Sequence, residues 1–163
     1  MKRFIARLEI ISSKVFTQLS GMLEQHFQTA LGIELRKNGI NFMREAGLEL
    51  FYDNFPLGLH ELDFLITPCL DLKEPLIMEV KVETSITDTH RQQLRNYLRS
   101  AAKNDNIIIK KVKIGLILNF KKSEFFIESK RKNKNIQDVQ IEVWKFDRKR
   151  FIQIKATKEI YKQ

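Results

Sequence analysis

The stretch Pro75-Leu-Ile-Met-Glu-Val-Lys-Val82 has the composition of a short buried strand. Apolar and β-branched residues fill it, and the proline stands at its start, where a strand needs no backbone donor. Because side chains in a strand alternate between faces, Glu79 and Lys81 project from one face and their apolar neighbours from the other. An acid and a base on an apolar strand cost desolvation free energy unless something compensates them. An isolated Glu-x-Lys pair usually marks a solvated face, so the neighbours of this strand decide its meaning.

The composition is that of an ordinary globular protein. The chain has 163 residues, 43% of them hydrophobic and 30% charged, which favours one domain with a substantial core. No apolar run approaches the roughly 20 residues of a membrane span, and the N-terminus lacks the pattern of a signal peptide. The single cysteine, Cys69, excludes an internal disulfide and any multi-cysteine zinc or iron–sulfur site. We therefore expect an intracellular protein, cytoplasmic or nucleoid-associated, rather than a secreted one.

The charge balance favours a polyanionic partner. The net charge is +9 and the pI is about 9.7, and nucleic acid is the usual partner of such a chain. Basic residues concentrate in the last third of the sequence, around residues 110–113, 121–122, 130–134 and 148–150. We expect phosphate contacts there; the alternative is a set of solvated loops.

The periodicity of apolar residues predicts an α/β fold with a mixed sheet flanked by helices. Helices are predicted over residues 1–18, 22–37 and 85–102, and strands over residues 40–52, 59–67, 75–82, 113–120, 140–146 and 151–155. The second predicted strand contains Asp63 on an otherwise apolar run. The short loop that follows makes the second and third strands antiparallel neighbours. This places Asp63, Glu79 and Lys81 on adjacent strands and on one face of the sheet.

These three side chains suit phosphodiester hydrolysis. That reaction needs a hard divalent cation, such as Mg²⁺, which one or two carboxylates hold together with water molecules. Asp63 and Glu79 supply the carboxylates, and the backbone carbonyl of Val80 adds a ligand. The ammonium group of Lys81 can steady the attacking hydroxide or the charge that grows on the phosphorus centre, and it also offsets the repulsion between the carboxylates.

Asp63 followed by Glu79-Val80-Lys81 resembles the core motif of the PD-(D/E)XK nuclease superfamily. The closer resemblance is to its GxxExxY family, whose pattern recurs here in six segments in the right order across about residues 20–121. Gln93-x-x-x-Tyr97 is also similar to the QxxxY motif of RecB-like nucleases. The six segments are Gly21-Met-Leu-Glu24-Gln-His-Phe27, ALGIELRKNG (30–39), ELDFLI (61–66), MEVKV (78–82), HRQQLRNYL (90–98) and GLILNF (115–120).

The resemblance implies a restriction-endonuclease-like fold and a Mg²⁺- or Mn²⁺-dependent nuclease. It implies one domain over residues 1–163, with its core at about 20–121 and a basic, β-rich C-terminal extension over 122–163. In such a site Glu24 reaches the metal from its helix, beside the Asp63, Glu79 and Val80 ligands, while Gln93 and Tyr97 position the phosphate or the ligands. The catalytic set implied is Glu24, Asp63, Glu79, Lys81, Gln93 and Tyr97.

The sequence departs from the family pattern at Phe27, which replaces a tyrosine, and in its longer tail. Relatives with a four-cysteine iron–sulfur cluster are excluded. Three other side chains have two readings each: His90 as a helix cap or a general base, Arg91 as a phosphate or a solvent contact, and Trp144 as packing or a base-stacking platform.

Two functional alternatives stay open at this point: an inactive nucleic-acid-binding module of the same fold, and a basic structural or interaction protein. DNA is the expected substrate. The choice between DNA and RNA, the mode of cleavage and the oligomeric state, a homodimer included, are not decided by the sequence.

Overall fold

The computed structural model describes residues 1–122 and 138–156. Within these ranges the chain forms four helices and eight strands. The helices are α1 (Lys2–Leu19), α2 (Glu24–Lys37), α3 (Asp88–Ala101) and α4 (Ile107–Lys110). The strands are β1 (Phe42–Met43), β2 (Ala46–Tyr52), β3 (Phe55–Leu62), β4 (Phe64–Ile66), β5 (Leu76–Lys81), β6 (Ile114–Phe120), β7 (Val139–Asp147) and β8 (Arg150–Ala156). None of the described helices is both long and apolar enough to cross a bilayer.

Six strands form one mixed sheet in the order β1-β4-β5-β6-β7-β8, and β2 and β3 form a separate hairpin. Only β5 and β6 run parallel among the pairs of the large sheet, and α3 lies in the connection between them. The predicted antiparallel pairing of the Asp63 strand with the Glu79 strand is confirmed, with Phe64 opposite Met78 and Leu65 opposite Ile77. The prediction of a mixed α/β fold is also confirmed.

Two apolar clusters fill the space on the two faces of the sheet. Helices α1 and α2 cover one face, where they pack on residues such as Phe64, Met78 and Leu116. Helix α3 and the β2–β3 hairpin cover the other face, where Leu65 and Ile77 lie. Strand β6 is therefore buried from both sides, which explains why its sequence is apolar almost throughout.

Both long extended segments predicted before residue 68 are in fact interrupted. The first breaks before β2, where Glu45 adopts a φ of 56°. The second breaks at Asp63, between β3 and β4, where the Asp63 carboxylate accepts the backbone N–H of Val80 at 2.8 Å. In an uninterrupted strand, Leu62 and Phe64 would lie on the same face of the sheet. Instead, Leu62 packs in the apolar cluster beneath α3, and Phe64 packs in the cluster on the opposite face.

The helix boundaries differ from the predictions at three places. Helix α2 begins two residues late, and α3 begins at Asp88 because the Thr87 side chain caps it by accepting the N–H of His90. The short helix α4 was not predicted, since its three isoleucines favour strands; the side chain of Asn106 holds it by accepting two backbone N–H groups. The basic residues at 130–134, where we expect phosphate contacts, lie outside the described residues.

Gly115 of β6 allows α3 to approach the sheet closely. A Cβ atom at this position would lie 2.6 Å from Cδ1 and 2.9 Å from Cγ of Leu94, which is fully buried. We predict that Gly115→Ala lowers the free energy of unfolding by about 1–3 kcal/mol, because Leu94 cannot move without displacing its neighbours. Urea denaturation followed by circular dichroism measures this loss.

Gly47→Ala is the matched control, because a Cβ there meets Leu59 at an ordinary 3.6 Å. The double variant Leu94→Ala/Gly115→Ala should lose less stability than the sum of its single changes, since the clash is then absent. Equal losses from the two glycine variants would contradict the packing argument.

Candidate active site

Three of the sequence-predicted residues meet where β4 and β5 pair. Asp63 lies at the β3–β4 junction, one position before the Phe64–Met78 pair, and this brings it beside Glu79. Asp63 Oδ2 accepts the Val80 N–H at 2.8 Å, and Lys81 Nζ donates to Glu79 Oε1 at 2.8 Å. Asp63, Glu79 and Lys81 thus lie together on the α3 side of the sheet.

Glu24 joins this group from the first turn of α2. Gln28 Nε2 donates to Asp63 Oδ1 at 3.0 Å and lies 3.5 Å from Glu24 Oε1, so it links the helix to the strand junction. Burial raises the pKa of Glu24, with Lys81 lowering it and Asp63 raising it further. The carboxyl of Glu24 therefore shares the electrostatic environment of the other two.

Gln28 and Arg44 were missed in the sequence analysis. Arg44 Nη2 donates to Gln28 Oε1 at 3.1 Å, and its guanidinium lies 5.5 Å from the ring centre of Phe64. Gln28 was detectable, because it follows Glu24 by four residues and so shares its helix face. Arg44 carried no such signal, since it comes from the break between β1 and β2.

Gln93 and Tyr97 lie beside the carboxylates on α3 and are joined by a third residue. Gln93 Nε2 donates to the Tyr97 hydroxyl at 2.5 Å, so the two side chains point the same way, as their four-residue spacing on a helix favours. The hydroxyl also bonds to Nε2 of His60 on β3, and the two rings lie 4.6 Å apart. Burial, and then the charge of Glu79, raises the pKa of Tyr97, so its phenol stays protonated. His60 was not predicted, because only the pairing of distant elements brings it here.

Burial dominates the electrostatics of the acidic pair. It raises the pKa of Glu79 to about 7; repulsion from Asp63 adds to the rise and Lys81 opposes it. Burial also raises the pKa of Asp63, although the hydrogen bond from the Val80 N–H and the charge of Lys81 both lower it. Burial lowers the pKa of Lys81, but the attraction of Glu79 and the other acids outweighs it, so the net shift is upward and the ammonium is kept.

A divalent cation fits this donor set. Glu79 Oε2 is buried and has no hydrogen-bond partner among the described residues, although Oε1 is bonded to Lys81. A cation beside this oxygen would satisfy it and relieve the repulsion from Asp63. The described residues gather no set of three or more Asp, Glu, His or Cys side chains at metal-holding distance. The donors present match Mg²⁺, which binds through one or two carboxylates and retains water.

His90 and Arg91 have structural roles at the start of α3. His90 Nδ1 accepts the Thr87 N–H in a capping box, and burial lowers its pKa, so the capping interpretation is the one observed. Arg91 Nη2 and Nε donate to the two carboxylate oxygens of Glu142 at 2.7 and 2.9 Å, and Arg91 Nη1 donates to Asp88 at 2.7 Å. Of the two interpretations of Arg91, a free phosphate-binding side chain is not observed, because these carboxylates take most of its donors; the side chain stays 30% exposed to solvent.

The aromatic residues in question pack in the interior or against each other. Trp144 stacks on Phe151 with ring centres 4.4 Å apart and an interplanar angle of 6°. Phe27 is buried and contacts Phe120, with ring centres 4.5 Å apart, so the missing tyrosine hydroxyl leaves no gap in a polar network here. In the loop before β5, the backbone of Cys69 pairs with that of Leu72 in an isolated antiparallel β-bridge.

Comparison with known proteins identifies the family of this chain but no individual relative. No curated protein and no solved structure gives a significant match. The model of the PD-(D/E)XK nuclease superfamily matches residues 4–132, which include all four described helices apart from the first two residues of α1, strands β1–β6 and the whole Asp63–Lys81 site. This match, together with the mixed sheet between helices, confirms the predicted restriction-endonuclease-like fold. The chain therefore belongs to the PD-(D/E)XK nuclease superfamily.

Proposed function

We propose that this protein is a metal-dependent nuclease that hydrolyses phosphodiester bonds of DNA with Mg²⁺ or Mn²⁺. Membership of a nuclease superfamily supports hydrolysis of nucleic acid. The observation that carries the metal dependence is the buried, unpartnered Oε2 of Glu79 beside a second carboxylate and a lysine. The six ordered segments support the narrower assignment to the GxxExxY family, which is part of the same proposal.

Asp63, Glu79 and the carbonyl of Val80 would hold the cation, with Glu24 assisting from α2. When bound, the metal supplies a water of lowered pKa and charge compensation at the phosphate. Lys81 keeps its ammonium beside Glu79, where it can stabilise the negative charge that develops as water attacks the phosphorus. Hydrogen bonds from Gln28, itself held by Arg44, orient Asp63 for this role.

Tyr97 and Gln93 would position the phosphate. The phenol is buried and protonated, and with the proton of His60 on Nε2 it accepts from both Gln93 and His60 and keeps its own hydrogen to donate. Its bonds to Gln93 and His60 fix the direction of the hydroxyl, and two rigid elements, α3 and the hairpin, carry those partners. Such fixed donors need little reorganisation during the reaction.

Replacing Lys81 tests the proposed chemistry. We predict that Lys81→Ala lowers the rate of Mg²⁺-dependent cleavage of single- and double-stranded DNA by about 10²–10³-fold, as for other groups that stabilise developing charge. Asp63→Ala should abolish cleavage, because it removes both a metal ligand and the partner of Val80 N–H. Gel electrophoresis of labelled DNA with Mg²⁺ or EDTA measures the rates.

Lys73→Ala is the control for charge, since Lys73 is exposed in the loop that precedes β5. Circular dichroism establishes that each variant is folded. Parent-like rates for Lys81→Ala and Asp63→Ala would show that the site is misassigned. Salt-dependent DNA binding by the parent without any metal-dependent cleavage would instead identify an inactive binding module.

The raised pKa of Glu79 predicts how stability depends on pH. The value rises from 4.5 to about 7 on folding, so the fold favours the protonated carboxyl. This contribution to stability is complete below pH 4.5 and is lost as the pH rises through about 7. In EDTA at pH 8, Glu79→Gln should therefore raise the Tm by about 4 °C or more, because the amide carries no charge.

Differential scanning fluorimetry in EDTA at pH 4.5 and pH 8 measures this effect. The gain from Glu79→Gln should disappear at the lower pH, and the exposed Glu74→Gln should give none at either pH. Mg²⁺ at pH 8 should stabilise the parent more than Glu79→Gln. A variant less stable than the parent at pH 8 would show that the charged carboxylate stabilises the metal-free fold.

A further inference from the structure

A pocket of about 460 Å³ lies at the carboxyl end of α3. It opens between that helix end, the tip of the β2–β3 hairpin and the turn between β7 and β8. It shares no residue with the candidate active site. Its basic and aromatic lining consists of Arg95, Arg99, Lys103, Lys149, Phe51 and Phe146.

The positive charge of the pocket is largely uncompensated. Arg95, Arg99 and Lys103 follow at intervals of four residues, which places them along one side of α3 and its end. None of the three forms an ion pair within residues 1–122 and 138–156, and the buried Nε of Arg95 has no hydrogen-bond partner there. Lys103 Nζ donates to the Asp53 carbonyl and to Asn54 Oδ1 of the hairpin turn, so the arginines are the freer cations. Arg91, one turn earlier on the same side, is neutralised by carboxylates. Asp53 is the acidic residue of the pocket lining.

The turn between β7 and β8 contributes Lys149 to the pocket, and its backbone adopts an unfavourable left-handed conformation. Arg148 and Lys149 have φ values of 45° and 67°, in the left-handed region that glycine and asparagine occupy more readily. Lys149 nevertheless stands here and lines the pocket. A strained backbone that carries a functional side chain is a recurrent feature of binding sites.

The apolar walls suit a nucleotide better than a bare anion. Phe51 and Phe146 line the pocket together with the basic groups, and Lys103 Nζ lies 5.9 Å from the ring centre of Phe51. Arginine side chains match the geometry of phosphate oxygens, and phenyl rings accept the flat faces of bases. The lining thus offers partners for both halves of a nucleotide.

We propose that this pocket binds a phosphodiester group of the nucleic acid, with an adjoining base against the phenyl rings, as a second contact remote from the active site. The choice of ligand rests on the proposed function. Gln93 and Tyr97 face the active site from one flank of α3, and Arg95 and Arg99 occupy the other. A helix with its side chains is about 10 Å wide, so the bound nucleic acid spans several nucleotides.

Binding measured without metal tests this proposal separately from cleavage. Fluorescence anisotropy of a labelled DNA oligonucleotide in EDTA is recorded over a range of salt concentrations for the parent and for Arg99→Gln/Lys149→Gln. Both residues are exposed, so the variant should fold. The expected result is roughly tenfold weaker binding and a slope of log affinity against log salt that is smaller by about two.

Lys2→Gln/Arg3→Gln is the matched control, since it removes the same charge from exposed positions on α1, on the other face of the sheet. It should keep most of the parent's affinity and slope. Equal weakening in the two double variants, or none in either, overturns the proposal, because net charge alone then explains binding. Inorganic phosphate that stabilises the parent but not Arg99→Gln/Lys149→Gln, with oligonucleotide binding unchanged, also overturns it and indicates a site for free phosphate.

The outcomes separate this proposal from the proposed function. Metal-dependent cleavage together with unchanged binding by Arg99→Gln/Lys149→Gln rejects the pocket and leaves the nuclease proposal intact. Selective loss of binding in a protein that never cleaves DNA supports the pocket and counts against hydrolysis.

Discussion

One hydrogen bond, from the Val80 N–H to the Asp63 carboxylate, connects the fold to the candidate chemistry. The chain leaves the β2–β3 hairpin at this residue and enters the six-stranded sheet. The same bond holds the Asp63 side chain beside Glu79 on the neighbouring strand. The position of the acidic pair therefore depends on the Asp63 side chain, whereas the ladders between the six strands hold the sheet itself.

The acidic cluster lies between two well-packed apolar layers and is itself costly. Burial opposes ionisation of Asp63 and of Glu79, and one oxygen of Glu79 has no protein partner among the described residues. Lys81 and Gln28 compensate part of this cost through their hydrogen bonds. A fold keeps such uncompensated polarity where it serves function, because apolar replacements at buried ion pairs are often equally stable or more so. The whole acidic cluster lies within the part of the chain that the superfamily model matches.

Much of this arrangement could be predicted from local patterns. Strand alternation and the short loop before β5 were enough to place Asp63, Glu79 and Lys81 together, and four-residue helical spacing was enough to pair Gln93 with Tyr97. The split of the second predicted strand at Asp63 was not predictable, because it depends on a backbone group 17 residues away. Arg91 pairs with Glu142 across 51 residues, and His60 meets Tyr97 across 37; such contacts follow from tertiary packing, which periodicity does not report.

Gly115 gives this site a further dependence on the core. Leu94 rests on the bare backbone of β6, and Tyr97 follows it by three residues on the same helix, so the clearance under Leu94 sets the depth at which the phenol sits. His60, on a different element, bonds to that phenol. The alignment of the candidate site therefore depends on a glycine outside it, and one methyl group added at Gly115 would displace the Tyr97 hydroxyl from its partners.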